Sequence, residues 1–94
     1  MGVLVEDNPA RRRFEILVDG SLAGFAAYEL RQDTVVFTHT EIDPRFRDMG
    51  VGGALVRGAL DQVRERGDRV VARCPFVAAY IEKHPQYEEL LGST

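Results

Sequence analysis

The sequence predicts an α+β domain in which helices pack on a mixed sheet, an antiparallel meander followed by a parallel βαβ unit. Three segments rich in β-branched and aromatic residues follow one another with only short polar turns between them. The hydrophobic spacing then changes to that of a helix over residues 51–63. Another β-rich segment follows this helix directly, so the strands on either side of the helix are expected to lie parallel.

The meander consists of three predicted strands and two tight turns. The strands are expected at residues 13–18, 23–30 and 34–42. Asp19-Gly20-Ser21 is a strong hairpin signal, and Arg31-Gln32-Asp33 is a second short polar turn. Strands joined by such turns must be antiparallel neighbours. Residues 1–11 are expected to be loose or to hold a short strand at residues 3–5.

The second half is predicted to alternate helices with one strand. Val51, Leu55, Ala59 and Val63 recur at helical spacing, and Gly67 supplies a C-terminal stop. The following elements are expected as a strand at 69–75, a helix at 76–84 and a helical turn or two at 86–91. The strand–helix–strand unit predicts a right-handed crossover.

Composition and charge exclude several classes of protein. The chain of 94 residues is expected to form one domain, and 45% hydrophobic with 29% charged residues excludes disorder. No apolar run approaches the roughly 20 residues that a membrane span needs. A net charge of −3 argues against nucleic-acid binding, and Arg11–Arg13 is interpreted as a solvated run. One cysteine and two separated histidines predict no metal site, and a lone cysteine fits a reducing cytoplasm.

Three glycines stand where the first helix should begin: Gly50, Gly52 and Gly53. Glycine inside a helix costs roughly 1 kcal/mol relative to alanine, so the cluster needs a reason. A helix that begins with glycines leaves backbone N–H groups free at the positive end of its dipole, and these form an anion site. A dinucleotide fingerprint is excluded because Leu55 stands at its third glycine, and a P-loop is excluded because its lysine is missing.

The segment Arg47-Asp48-Met49-Gly50-Val51-Gly52 is an R-x-x-G-x-G hexad that opens a helix after a strand. It resembles the acetyl-CoA signature of the GNAT superfamily of N-acetyltransferases. The resemblance implies that the backbone of this hexad, continued by Gly53, holds the pyrophosphate of acetyl-CoA or coenzyme A. It also implies that N–H groups of the strand ending at Ile42 polarise the thioester carbonyl.

The resemblance covers roughly residues 14–91 and implies a GNAT-like sheet. Within the superfamily, the chain resembles the reduced GNAT-like proteins of about a hundred residues. The segments that match their pattern are HTEI at 39–42, CPF at 74–76 and YIEKHPQY at 80–87. Full-size members carry helices between their first two strands that shape the acceptor site, whereas only Asp19-Gly20-Ser21 stands there in this chain. The acceptor pocket is therefore expected to be shallow and open, and the acceptor stays unidentified.

The candidate catalytic residues are Cys74, His39 and Glu41. Cys74 and His39 stand near the ends of two strands expected to be parallel neighbours, so both are expected at one crevice, where an imidazolium would favour the thiolate. Glu41 shares the face of His39 by strand alternation and is a second candidate base. The alternatives are a small buried hydrophobe for Cys74 and a polar strand residue for His39.

The last predicted helix adds Tyr80, Lys83 and His84 as candidate cofactor-binding residues. They stand three or four residues apart and therefore share one side of the helix. If that side borders the cofactor, Lys83 would neutralise a phosphate and Tyr80 would reach the pantetheine arm. The alternative for Lys83 is a solvated helix face. Alignment with larger members places Cys74 at an asparagine and Ile81 at a tyrosine that acts as general acid, so Tyr80 is one residue away from that position.

Two classes of function are compatible with the sequence. The first is an acetyl-CoA-dependent N-acetyltransferase that transfers acetyl to an amine. The amine would attack directly with His39 or Glu41 as base, or Cys74 would first accept the acetyl group. The second is a non-catalytic CoA-binding or protein-interaction module, which the missing acceptor helices favour.

Overall fold

The chain folds into a five-stranded sheet whose strands lie in sequence order. The computed structural model describes residues 2–91, so Met1 and residues 92–94 of the expected domain lie outside the described part. The strands are β1 (Val3–Asn8), β2 (Arg13–Val18), β3 (Ser21–Arg31), β4 (Thr34–Ile42) and β5 (Arg69–Ala72). The helices are α1 (Val51–Arg66) and α2 (Pro75–Lys83), with short 3₁₀ helices at Pro9–Arg11, Pro44–Phe46 and Pro85–Leu90.

The sheet is antiparallel from β1 to β4 and parallel between β4 and β5, which confirms the predicted mixed sheet. The turn between β2 and β3 places both Asp19 and Gly20 at positive φ, 49° and 84°, as a two-residue hairpin requires. α1 ends where predicted, at Gly67, whose φ of 78° lets its N–H bond to the last helical turn.

The prediction of a loose N-terminus is wrong for residues 3–11, which form β1 and a 3₁₀ turn. β1 pairs with β2 along its whole length. The alternative of a short strand at residues 3–5 is confirmed, and the polar residues Glu6, Asp7 and Asn8 extend this strand beyond the apolar segment. Val5 packs against Gly58 of α1, and the Tyr28 hydroxyl donates a 2.6 Å hydrogen bond to Asp7.

Both helices pack on the same face of the sheet. α1 contacts all five strands, and Val77 and Ile81 of α2 join the same core. The largest fully buried side chains of this core are Phe14, Phe37, Ile16, Leu55 and Leu60. Within the described residues, the opposite face of β2 to β4 is left without a helix, and this bare face carries the exposed pair His39 and Glu41.

Candidate functional site

β4 contains a β-bulge at Thr38. Ala27 of β3 pairs with His39, whereas the next residue, Tyr28, pairs with Phe37. The extra residue reverses which face the following side chains point to. Phe37 therefore lies in the core under the helices, while His39 beyond the bulge points to the bare face.

β5 leaves the sheet before β4 does. The two strands pair only between Thr34–Phe37 and Arg69–Ala72. The N–H groups of Arg73 and Cys74 then both donate to the Phe37 carbonyl at 3.0 Å, which turns the chain away into α2. β4 continues alone to its end, and we call the open edge beside its last residues the β4 notch.

The backbone of β4 faces this notch at Thr40 and Ile42. The Asp43 N–H donates a 2.8 Å hydrogen bond to the Ala23 carbonyl on the β3 side. Because backbone groups alternate sides along a strand, those of Ile42 and Thr40 point the other way, to the side that β5 has left. The notch therefore presents amide donors at the edge of the sheet.

The start of α1 supplies a second set of amide donors. Asp48 and Gly50 both have positive φ, 62° and 74°, an alternation that directs successive N–H groups to one side. Gly50 has no side chain to cap the helix, and the first helical hydrogen bond runs from Ala54 N–H to the Gly50 carbonyl. The helix itself therefore leaves the N–H groups of Val51, Gly52 and Gly53 free.

One groove of about 280 Å³ joins the start of α1 to Ile42 at the β4 notch. We call it the cradle groove, and it is lined by Ile42, Phe46, Arg47, Asp48, Gly50, Val51, Gly52, Gly53 and Phe76. All the predicted residues of the hexad except Met49 line it, and Met49 is exposed. The structure thus brings together the end of β4 and the glycine cluster, as the resemblance implied.

Phe76 is a wall of the cradle groove that the sequence reasoning missed. A Cβ added at Gly52 would lie 2.6 Å from the Cζ atom of the Phe76 ring, so only glycine fits there while the ring stays in place. Phe76 is nevertheless 44% exposed. An apolar residue at the first turn of a helix, next to Pro75, was the available signal.

A larger groove of about 580 Å³ continues from Gly50 and Gly53 along α1 to α2, and we call it the helix groove. Tyr80 and His84 line it with their rings stacked 3.9 Å apart, and burial raises the pKa of Tyr80. Arg57, which the sequence reasoning did not single out, supplies the cation of this groove. Lys83 is exposed and lines neither groove, so the structure brings together only two of the three predicted α2 residues.

The predicted pairing of His39 with Cys74 is wrong. Cys74 is only 3% exposed, and its Sγ lies 3.3 Å from the Thr40 Oγ1 on the helix side. His39 lies on the bare face, with Nε2 2.8 Å from Glu41 Oε2. The bulge at Thr38 causes the separation, because it reverses the orientation of every later side chain of β4. The predicted common face of His39 and Glu41 is confirmed.

Within residues 2–91, no three His, Cys, Asp or Glu side chains are grouped so that they could hold a metal ion. In the same residues, no helix has the length and hydrophobicity needed to cross a membrane.

A family model described as GCN5-related N-acetyltransferase matches residues 13–90. Protein NATD1 of Xenopus tropicalis is 30% identical over 93 residues, which cover 95% of this chain and 85% of that protein. Streptothricin acetyltransferase of Streptomyces lavendulae is 39% identical over 64 residues, which cover 66% of this chain and 34% of that enzyme.

Solved structures share the fold. A GCN5-like protein of Staphylococcus aureus superposes with a TM-score of 0.71 at 18% identity, over 97% of this chain and 89% of that one. Ard1 of Thermoplasma volcanium superposes with a TM-score of 0.57 at 29% identity, over 81% of this chain and 53% of that one.

Proposed function

Because the chain belongs to the GCN5-related N-acetyltransferase family, the GNAT superfamily that its hexad resembles, we propose that it transfers acetyl from acetyl-CoA to an amine. The observation that carries the proposal is the cradle groove, which joins free N–H groups of α1 to the open edge of β4.

The residues that line the cradle groove and the helix groove fit acetyl-CoA along its length. The N–H groups of Val51, Gly52 and Gly53 would hold the pyrophosphate, since the positive end of a helix dipole favours an anion that can approach the backbone. Arg47 lines the same groove and adds a positive charge. The helix groove would receive the nucleotide end, with Arg57 toward a phosphate and the stacked Tyr80–His84 pair toward the base.

Acetyl-CoA, when bound, supplies a thioester carbonyl that an amine can attack. The backbone N–H of Ile42 at the β4 notch would donate to the carbonyl oxygen as negative charge develops on it, and the N–H of Thr40, about 7 Å away along the strand, would bind another acceptor of the cofactor. Glu41 would accept a proton from the amine on the bare face, and His39, bonded to Glu41, would pass that proton to solvent.

Direct attack by the amine is the route that this arrangement favours. His39 and Cys74 lie on opposite faces of β4, so the imidazole cannot take the proton of the thiol. Cys74 instead contacts Thr40, and through it helps to hold the open edge of β4 in place. In this proposal Cys74 is a positioning residue.

Release of free CoA from acetyl-CoA in the presence of a pool of amines tests the proposal. The wild-type protein should release CoA only when amines are added, and Glu41→Gln should lower kcat/KM about a hundredfold because the proton acceptor is lost. Glu29→Gln, which changes an exposed carboxylate of β3, serves as the control. Tight CoA binding without any amine-dependent release would instead assign the chain to the class of non-catalytic CoA-binding modules.

A further inference from the structure

A further groove of about 260 Å³ lies at the ends of β3 and β4, and we call it the rim groove. It is lined by Leu22, Ala23, Gly24, Phe25, Glu41, Ile42, Asp43 and Pro44. Ile42 also lines the cradle groove, so the two grooves meet at one residue of β4. A molecule in the rim groove would thus lie beside the β4 notch.

The rim groove combines an apolar wall with two carboxylates. Leu22 is 42% exposed, and Phe25 is half-buried beside it in the lining. The ring of Phe25 is held by the guanidinium of Arg13, 4.4 Å from its centre. The carboxylates belong to Glu41 and Asp43, so an occupant with an apolar part and a positive charge would match the lining.

Arg45 keeps one of these carboxylates ionised and in place. Its backbone N–H donates to Asp43 Oδ1 at 2.9 Å, and its guanidinium donates to both oxygens. These hydrogen bonds hold the pKa of Asp43 below its ordinary value. The carboxylate of Asp43 is still partly exposed, so it can attract a second cation.

We propose that the rim groove binds the acceptor, and that the acceptor is a primary ammonium on an unbranched alkyl stem. This inference rests on the proposed function. The stem would lie along Leu22 and Phe25, and the ammonium would point to Glu41 and Asp43. The nitrogen would then stand at the end of β4 where the grooves meet, next to the backbone N–H of Ile42.

The transfer balances with the residues of this site. The ammonium gives one proton to the Glu41 carboxylate, which passes it through His39 to solvent. The nitrogen forms a C–N bond to the acetyl carbon while the C–S bond of the thioester breaks. The second proton leaves the nitrogen and ends on the departing thiolate, so the products are an N-alkylacetamide and free CoA.

Titration of the cofactor-free protein with pentylammonium, followed through its amide NMR signals, tests the rim groove. Shifts are expected at Leu22, Phe25, Glu41 and Asp43. Pentanol and hexanoate, which have the same pentyl stem without the positive charge, should bind more weakly. Equal binding of all three molecules, or shifts confined to other parts of the chain, would overturn the proposal.

Asp43→Asn provides a variant that keeps the fold. Asparagine still accepts the capping hydrogen bond from the Arg45 N–H, but it removes the charge. The dissociation constant for pentylammonium should rise about twofold to fivefold, the range of an exposed ion pair. Asp33→Asn, the same change at the other end of the β3–β4 pair, should leave it unchanged. Equal dissociation constants for pentylammonium in the two variants would contradict a role of Asp43 in binding the ammonium.

A comparison of pentylammonium with a lysine that is blocked at its α-amine and its carboxyl group distinguishes a free alkylamine from the lysine side chain of a peptide. If both shift the rim-groove signals, the groove recognises the shared alkylammonium group, whether it is free or part of a peptide. If neither does, the proposal fails even where amine-dependent CoA release is observed. CoA binding is measured separately, so a failure of the rim groove is distinguished from a failure of the proposed function.

Discussion

At Gly52 a missing side chain leaves room for an aromatic ring and, by our proposal, for a pyrophosphate. The nearest atom to an added Cβ is Phe76 Cζ, at 2.6 Å, and this ring is exposed enough to move aside. A substitution at Gly52 should therefore disturb the cradle groove without unfolding the chain.

Gly52→Glu is expected to abolish measurable CoA binding, because it adds bulk and negative charge where the pyrophosphate would lie. Isothermal calorimetry measures the affinity, and circular dichroism checks that the variant is folded. Ala79→Glu, which adds the same charge to an exposed position of α2, is the matched control and should keep wild-type affinity. If the folded Gly52→Glu variant bound CoA with unchanged affinity, the proposal that the cradle groove holds the pyrophosphate would be wrong.

Cys74→Ala is expected to keep kcat within about tenfold of wild type, because the thiol has no base beside it and acts by positioning. Mass spectrometry of the wild-type protein after incubation with acetyl-CoA alone should show no acetyl group on Cys74. An acetylated Cys74 that accumulates without acceptor, together with an inactive Cys74→Ala, would replace direct attack by the two-step route.

At the scale of elements, the docking of β1 on α1 depends on a close approach at Gly58. A Cβ added there would lie 2.7 Å from Val5 Cβ, and neither backbone can yield easily. The amide of Gln62 reinforces the contact by donating a 2.9 Å hydrogen bond to the Val5 carbonyl. β1 therefore depends on the glycine of α1 rather than on an apolar sequence of its own.

Gly58→Ala should lower the free energy of unfolding by up to about 2 kcal/mol, since overpacking costs about 1–3 kcal/mol and the better helix propensity of alanine returns about 1 kcal/mol. Urea denaturation measures the change. Gly53→Ala is the control, because its added Cβ would meet Tyr80 only at 3.8 Å, an ordinary contact. Gly53→Ala should stabilise the protein. If Gly58→Ala stabilised it as well, β1 would move away from α1 without cost, which would contradict the close approach at Gly58.

Strands β2 to β5 and both helices could be predicted because turns and hydrophobic periods are local signals. β4 was predicted at residues 34–42 and is found there, and the glycine cluster does begin a helix. The bulge at Thr38 could not be predicted, because it depends on the register with β3 and leaves no local pattern. That one residue decides that Thr40, and not His39, faces Cys74.

At the scale of the whole molecule, two buried tyrosines connect distant parts of the chain. The Tyr28 hydroxyl donates to Asp7 and joins β3 to β1, and the Tyr87 hydroxyl donates to Asp61 and joins the last 3₁₀ helix to α1, each at 2.6 Å. Burial, followed by the hydrogen bond to the carboxylate, raises the pKa of each tyrosine from 10 to about 12.

These raised pKa values predict a loss of stability in alkali. In the unfolded chain the tyrosines ionise from about pH 10, whereas in the folded chain they stay protonated up to about pH 12. Their contribution to the free energy of unfolding is therefore complete below pH 10 and is lost as the pH rises through 12. Unfolding by urea at several pH values measures it. Tyr28→Phe and Tyr87→Phe should each reduce the slope between pH 10 and 12, and an unchanged slope would contradict the assignment.

The site was predictable in its backbone and in side-chain pairs within one element, such as His39 with Glu41 and Tyr80 with His84. The hexad marked the cradle, but Phe76, Arg57 and Thr40 complete the site through contacts between elements that are far apart in sequence. Side chains brought together by tertiary packing have no fixed spacing, so a single sequence does not reveal them.

Titration with CoA, followed through the amide NMR signals of the protein, tests whether the start of α1 and the end of β4 hold the cofactor together. We expect large shifts for the amides of Val51, Gly52 and Gly53 and for those of Thr40 and Ile42, because both sets of donors would contact the cofactor. Binding that shifts neither set, or the absence of binding at millimolar CoA, would contradict this expectation.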